Sequence, residues 1–252
     1  MGDQMLLDVL RDYNASLLQT SLFKDYCPNG LQVEGRAEVR RIATGVTASQ
    51  QVLDEAVAWG ADAILVHHGY FWRNEDATIV GIKKKRIAQL LRNEVSLLAY
   101  HLPLDAHVEL GNNAQLGKLL GLVEQGRFGE QSIAWLGALQ QPRTLTQFTQ
   151  QITHGLQRTP QVIGDGGKSI RRVAWCSGGA QGHFEAAIAQ GVDAYITGEI
   201  SEQNFHLANE TGVAFIAAGH HATERLGIQA LGSHLAEKFA LEHKFFDQDN
   251  PV

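Results

Sequence analysis

The residues most capable of chemistry are a set of histidines and acids at the ends of apolar runs. Ala63-Ile64-Leu65-Val66-His67-His68-Gly69 reads as a buried strand that stops at two imidazoles and a glycine. Leu97-Leu98-Ala99-Tyr100-His101 ends the same way and places Asp105 four residues on, and Ile216-Ala217-Ala218-Gly219-His220 repeats the arrangement with Glu224. Imidazole binds zinc, iron, nickel or copper, and carboxylates can bridge two ions, so this donor set suits a dinuclear divalent centre better than a closed structural zinc site. The predicted ligands are His67, His68, Asp105, His220 and Glu224. Neighbouring residues on a strand point to opposite faces, so His67 and His68 meet only if the backbone turns, which Gly69 would permit. If a helix begins at His220, the i,i+4 spacing puts Glu224 on the same face, while His221 points elsewhere. His101 and His221 are candidate proton carriers; His107, His154, His234 and His243 lack this context.

The elements that must position these groups are written twice. At an offset of 131, Arg40 to Val66 aligns with Arg171 to Thr197 without a gap, with nine identities in 27 positions. Two unrelated strand-helix-strand units would share glycine caps and aliphatic strands, but not Arg-Arg-x-Ala, the single Gln and Gly-x-Asp-Ala together. Each copy predicts a strand, a small-residue turn, a helix closed by glycine, and a second strand. The offset falls to 119 for the His-acid pairs, so each half contributes one pair and the metal site is expected between the halves.

Further helices are predicted over Leu6 to Leu18, Ala114 to Leu120 with Asn112 as cap, Thr144 to Leu156 and Thr223 to Phe239. Short strands are predicted over Ser132 to Leu139 and Gln161 to Ile163. The fold class is therefore α/β, with helices packed on the sheets of two internally repeated domains, 1–125 and 126–252. In such sheets ligands sit beyond the carboxyl ends of the strands, where every residue singled out above is found.

Composition narrows the partners. Among 252 residues, 44% are hydrophobic and 19% charged, as in a globular protein, and no stretch approaches the roughly 20 apolar residues of a membrane span. The N-terminus has no basic region leading a uniformly apolar one, so a cytoplasmic protein is expected. The net charge of −6 disfavours nucleic acid, and Lys83-Lys84-Lys85-Arg86 reads as a solvated helix face. Cys27 and Cys176 are too few for a disulfide framework or a thiolate cage and receive no role.

These residues resemble the GTP cyclohydrolase 1 type 2 homologues, also called the NGG-interacting-factor-three-like proteins, over nearly the whole chain. The resemblance rests on Pro28 to Gly35, Gly45-Val46-Thr47, Val66 to Gly69, His101 to Asp105, Thr197-Gly198-Glu199 and Gly219 to Glu224. It implies the same five metal ligands, two interlinked α/β domains, and a toroidal homohexamer with its dimetal sites facing an inner cavity. The chain departs from many relatives in carrying Gln203 where they have histidine, which leaves the roles of Glu199 and His206 open, and in lacking a long insertion between the halves. The family name implies a metal-dependent hydrolase opening the imidazole ring of GTP. No phosphate-cradling Gly-x-x-x-x-Gly-Lys-Ser/Thr loop is present, however, so a phosphoesterase acting on a small metabolite would use the same ligands. The alternative of another class is a metal-binding, metal-delivery or ring-forming interaction protein without turnover. The donor set accepts iron, zinc, manganese or nickel alike.

Overall fold

A computed structural model describes residues 5–252, and its contacts divide the chain into two units. One unit runs to Gly111 and takes in Gly227–Asp249; the other comprises Asn112–Leu226 and Asn250–Val252. The boundary expected near residue 126 falls inside a strand, Leu122–Phe128, because the second unit opens with a helix and a hairpin that carry no copy of the repeat.

In chain order the first unit contains α1 (Leu7–Leu17), β1 (Gly30–Val33), β2 (Arg41–Thr47), α2 (Gln50–Trp59), β3 (Ala63–His68), α3 (Gly81–Arg92), β4 (Ser96–Ala99) and α4 (Leu102–Ala106). The second contains α5 (Asn112–Leu119), β5 (Leu122–Phe128), β6 (Ala134–Thr144), α6 (Leu145–Leu156), β7 (Gln161–Ile163), β8 (Ser169–Trp175), α7 (Phe184–Ala189), β9 (Ala194–Thr197), α8 (Glu202–Thr211) and β10 (Ala214–Ala217). Helix α9 (His220–Phe239) starts in the second unit and ends in the first, and β11 (Glu242–Phe245) follows it.

The first sheet has the order β11-β2-β3-β4-β1, parallel except for β1, which runs antiparallel to β4. Strand β3 is apolar from Ala63 to Val66 because both its faces are covered there. Its Ala63 and Leu65 pack with Leu7 and Leu10 of α1 and with Ile228, Leu231 and Leu235 of α9. Its Ile64 and Val66 face Val52, Leu53 and Ala56 of α2 and Ile87 and Leu90 of α3. This alternation fixes the register: slipping β3 by one residue would exchange the sides on which His67 and His68 emerge.

The second sheet has the order β5-β6-β8-β9-β10-β7, with β8, β9 and β10 parallel and the other pairings antiparallel. Trp135, Phe148, Ile152, Trp175, Ile196 and Ile216 build its core. Thr144 caps α6 through a reciprocal box with Gln147, so the predicted helix start becomes the cap itself.

The repeat is borne out and extends further than its sequence match. In each unit the three parallel strands of the repeat are flanked by a short antiparallel one, β1 beside β4 and β7 beside β10, and the first unit adds β11 as a fourth parallel strand. In the first unit Asp62 accepts the backbone N–H groups of Arg40 and Arg41 at 2.8 and 2.9 Å. Asp193 accepts those of Arg171 and Arg172 at 2.9 and 2.8 Å. This shared task accounts for the recurring Arg-Arg and Asp. One correction concerns spacing. Ala63 pairs with Ser96 and Ala194 with Ala214, so β4 and β10 correspond at an offset of 118, not 119. The second copy therefore carries one more residue before its histidine, and Gly219 takes up the change at φ 98°.

Candidate metal centre

His67 and His68 close β3, and their ring centroids lie 4.6 Å apart. Gly69 is required for a different reason from the one expected: its φ is not left-handed, but a side chain there would strike the Gln32 side chain and Ala99. Gln32 in turn accepts the Tyr70 N–H and donates to the Tyr70 carbonyl, tying down the chain just past the histidines. His101 joins from the end of β4, with centroids 5.1 Å from His67 and 5.7 Å from His68, and one nitrogen from each of the three rings lies within 4.8 Å of the others.

The far side of each ring is held. The Tyr100 carbonyl lies 2.9 Å from His67 Nδ1; a carbonyl only accepts, so Nδ1 carries the proton and Nε2 is the nitrogen that would ligate a metal. His68 Nδ1 contacts the Thr47 hydroxyl at 3.2 Å, and His101 Nδ1 contacts Asp25 at 2.7 Å. Partners of this kind fix ring orientation and tautomer, as they do behind metal-bound histidines. Asp105 is buried, 3.6 Å from His67 Nε2. Asp105 is carried by α4, a short helix whose first turn accommodates Pro103 because the missing N–H is not needed there.

Asp25 was not anticipated. Its carboxylate also accepts from the Leu102 N–H and the Asn29 amide. Burial pushes its pKa up, but His101, the Asn29 amide and the Tyr26 N–H together outweigh burial and hold it down at about 2. No pattern in the sequence links positions 25 and 101; only the fold of the Asp25–Gly30 turn onto β4 does. Cys27 lies in the same neighbourhood, and in the metal-free chain burial, helped by Asp25, pushes its thiol up to about 12, so that it stays protonated there.

In the second unit α9 begins at His220, earlier than expected, and the i,i+4 geometry holds: His220 Nε2 is 3.1 Å from Glu224 Oε2. Glu199 fills the role left open by the sequence, its Oε1 lying 2.6 Å from His220 Nδ1. It reaches there because Gly198 lets β9 run against the His220 backbone, where any side chain would collide. Gln181 holds the other Glu199 oxygen at 3.2 Å. Gly178, at φ 66°, leaves space that a side chain would take from Glu224. Burial lowers the His220 pKa, but Glu224 and Glu199 together raise it to about 9. His221 is buried, with its N–H donating to the Val252 carbonyl at 3.0 Å. Gln203 and His206 are exposed on α8, His206 pairing with Glu202. His234 and His243 are structural, contacting Tyr13 and Thr44 at 2.6 and 2.8 Å.

Three imidazoles and a buried carboxylate in one unit, and an imidazole with a buried carboxylate in the other, are the donors that first-row divalent ions take. Fold and side chains thus define an α/β protein with His/Asp/Glu clusters able to hold metal ions. The chain belongs to the Duf34/NIF3 (NGG1p interacting factor 3) family, whose sequence profile matches residues 5–251. It is 59% identical over 235 residues to a Neisseria meningitidis protein named GTP cyclohydrolase 1 type 2 homolog, covering 93% of this chain and 94% of that protein. A Pseudomonas aeruginosa protein of the same name is 55% identical over 238 residues, with 93% and 94% covered. The solved structure of the protein ybgI, described as of unknown function, superposes with a TM-score of 0.95 at 48% identity, covering 98% of this chain and all of that one. TTHA1606 from Thermus thermophilus gives 0.87 at 32% identity, with 98% and 100% covered. Among the described residues no helix is long and apolar enough to cross a membrane.

Proposed function

We propose that this chain is a metal-dependent hydrolase that holds two divalent ions through His67, His68, Asp105, His220 and Glu224. The observation that supports this most is the convergence of His67, His68 and His101, each with Nδ1 engaged. Such ions, when bound, polarise a substrate oxygen and activate water. The chain's own part is to orient the ligand rings from behind, to keep Asp105 and Glu224 away from bulk water, and to move protons. His101 is suited to proton transfer, since Asp25 holds its Nδ1 proton while Nε2 exchanges one. His221 is the second proposed proton carrier.

The names of the Neisseria and Pseudomonas relatives favour opening of the purine imidazole ring of GTP. A cytoplasmic homohexamer acting on a small molecule completes the proposal. The test is to purify the protein, identify its metal by elemental analysis, and assay GTP and a panel of phosphorylated metabolites beside Glu224→Ala. Turnover that depends on metal and is lost in the variant supports the proposal. Metal binding without turnover of any substrate replaces it with a metal-binding or delivery role.

A further inference from the structure

Arg158 lies against the residue that precedes His220, and the hydrolase reading leaves it without a task. It follows the C-cap of α6, three residues before β7. Ala217 of β10 pairs with Gln161 of β7, so the antiparallel course of β7 brings Arg158 alongside the residues that follow β10. A Cβ on Gly219 would lie 2.5 Å from Arg158 Nε, 2.7 Å from Cδ and 3.1 Å from Cζ. The guanidinium therefore rests on the α-carbon of the residue immediately before His220, in space that exists only because position 219 is glycine.

Nothing in the fold uses that charge. Arg158 is partly buried, and its Nε is buried with no hydrogen-bond partner; among the described residues it makes no ion pair either, although Glu199 and Glu224 belong to the adjoining cluster. A buried donor without an acceptor costs stability, and a guanidinium gains most from an oxyanion that accepts two of its N–H groups at once. Its position, past the carboxyl end of a parallel strand in an α/β sheet, is where ligands of such sheets sit.

We infer that Arg158 is an oxyanion-binding residue, recognising a phosphate or carboxylate group of the ligand that occupies the His220-Glu224 cluster. The inference deepens the hydrolase reading and rests on it for the identity of the site, but not for the binding event. Inorganic phosphate and acetate are titrated separately into the full-length protein, as purified with its metal, into Arg158→Gln and into Arg158→Lys. Binding is read by calorimetry and by the shift in thermal midpoint, with metal content measured in each sample. Phosphate or acetate should bind at least about tenfold more weakly to Arg158→Gln, with an intermediate loss in Arg158→Lys, which keeps the charge but not the planar fork. Whichever anion depends more strongly on Arg158 identifies the group recognised. Equal affinities in all three proteins overturn the inference; should Arg158→Gln fail to fold, an affinity in Arg158→Lys equal to wild type does so. Arg158-dependent anion binding in a chain that takes up no metal would remove the hydrolase reading and leave this one standing.

Discussion

Glu199 and His220 are joined by a 2.6 Å contact from Oε1 to Nδ1, with Glu224 3.1 Å from the opposite ring nitrogen. An imidazole between two carboxylates holds its proton tightly, so metal must compete with that proton for Nε2. With the pKa raised to about 9, metal affinity at this cluster should rise with pH, by roughly tenfold per unit below pH 9, and level off above it. The sign for stability is the reverse. In the metal-free chain the His220 contribution is fully present below the unfolded value near 6.5 and is lost as pH rises through about 9. Metal titrations at several pH values with proton-release measurements test this; an affinity flat between pH 6 and 9 would contradict it.

Replacing Glu199 by glutamine should weaken metal binding by about 10- to 100-fold while the fold persists, the usual effect of removing an outer partner of a ligating histidine. Competition with a chelator of known affinity measures the loss, and circular dichroism checks the fold. Affinity unchanged from wild type would mean that Glu199 only supports the local backbone.

Asp62 and Asp193 should prove equivalent in stability. Each accepts two backbone N–H groups through one carboxylate oxygen, and Asp62 also pairs with Arg36 at 3.0 Å. Alanine at either position removes the acceptor of two N–H groups that water can in part reach, at a cost of about 1–3 kcal/mol. Urea unfolding of the two variants would show it, and a loss below about 0.5 kcal/mol at either site would refute it.

The Cys27 thiol, pushed up to about 12, should react far more slowly than a free cysteine with iodoacetamide at pH 8. Mass spectrometry of the native protein over time gives the rate. Asp25→Asn should speed the reaction, since it removes a charge that opposes the thiolate.

What could be read from the sequence was local or duplicated. The strand end at His68, the helix beginning near Thr144 and the Asp105 and Glu224 offsets follow from periodicity and repetition. The partners that hold the imidazoles from behind could not be read this way. Asp25 meets His101 across 76 positions, and Glu199 meets His220 across 21, so neither contact leaves a periodic trace. Gly219 was misplaced in the alignment because one inserted residue looks like a match when strand ends are compared by histidine alone.

Helix α9 leaves the second unit at Leu226 and supplies Ile228, Leu231 and Leu235 to the core of the first, after which β11 pairs with β2. Chain order and folding order therefore part company. A ribosome that has released only the amino-terminal half has made a sheet with one edge open and one face covered by α1 but not yet by α9, and that half waits for the last residues of the chain before it is finished. Dissecting this protein at its midpoint would yield one fragment missing its closing pieces and another carrying them with nothing to close.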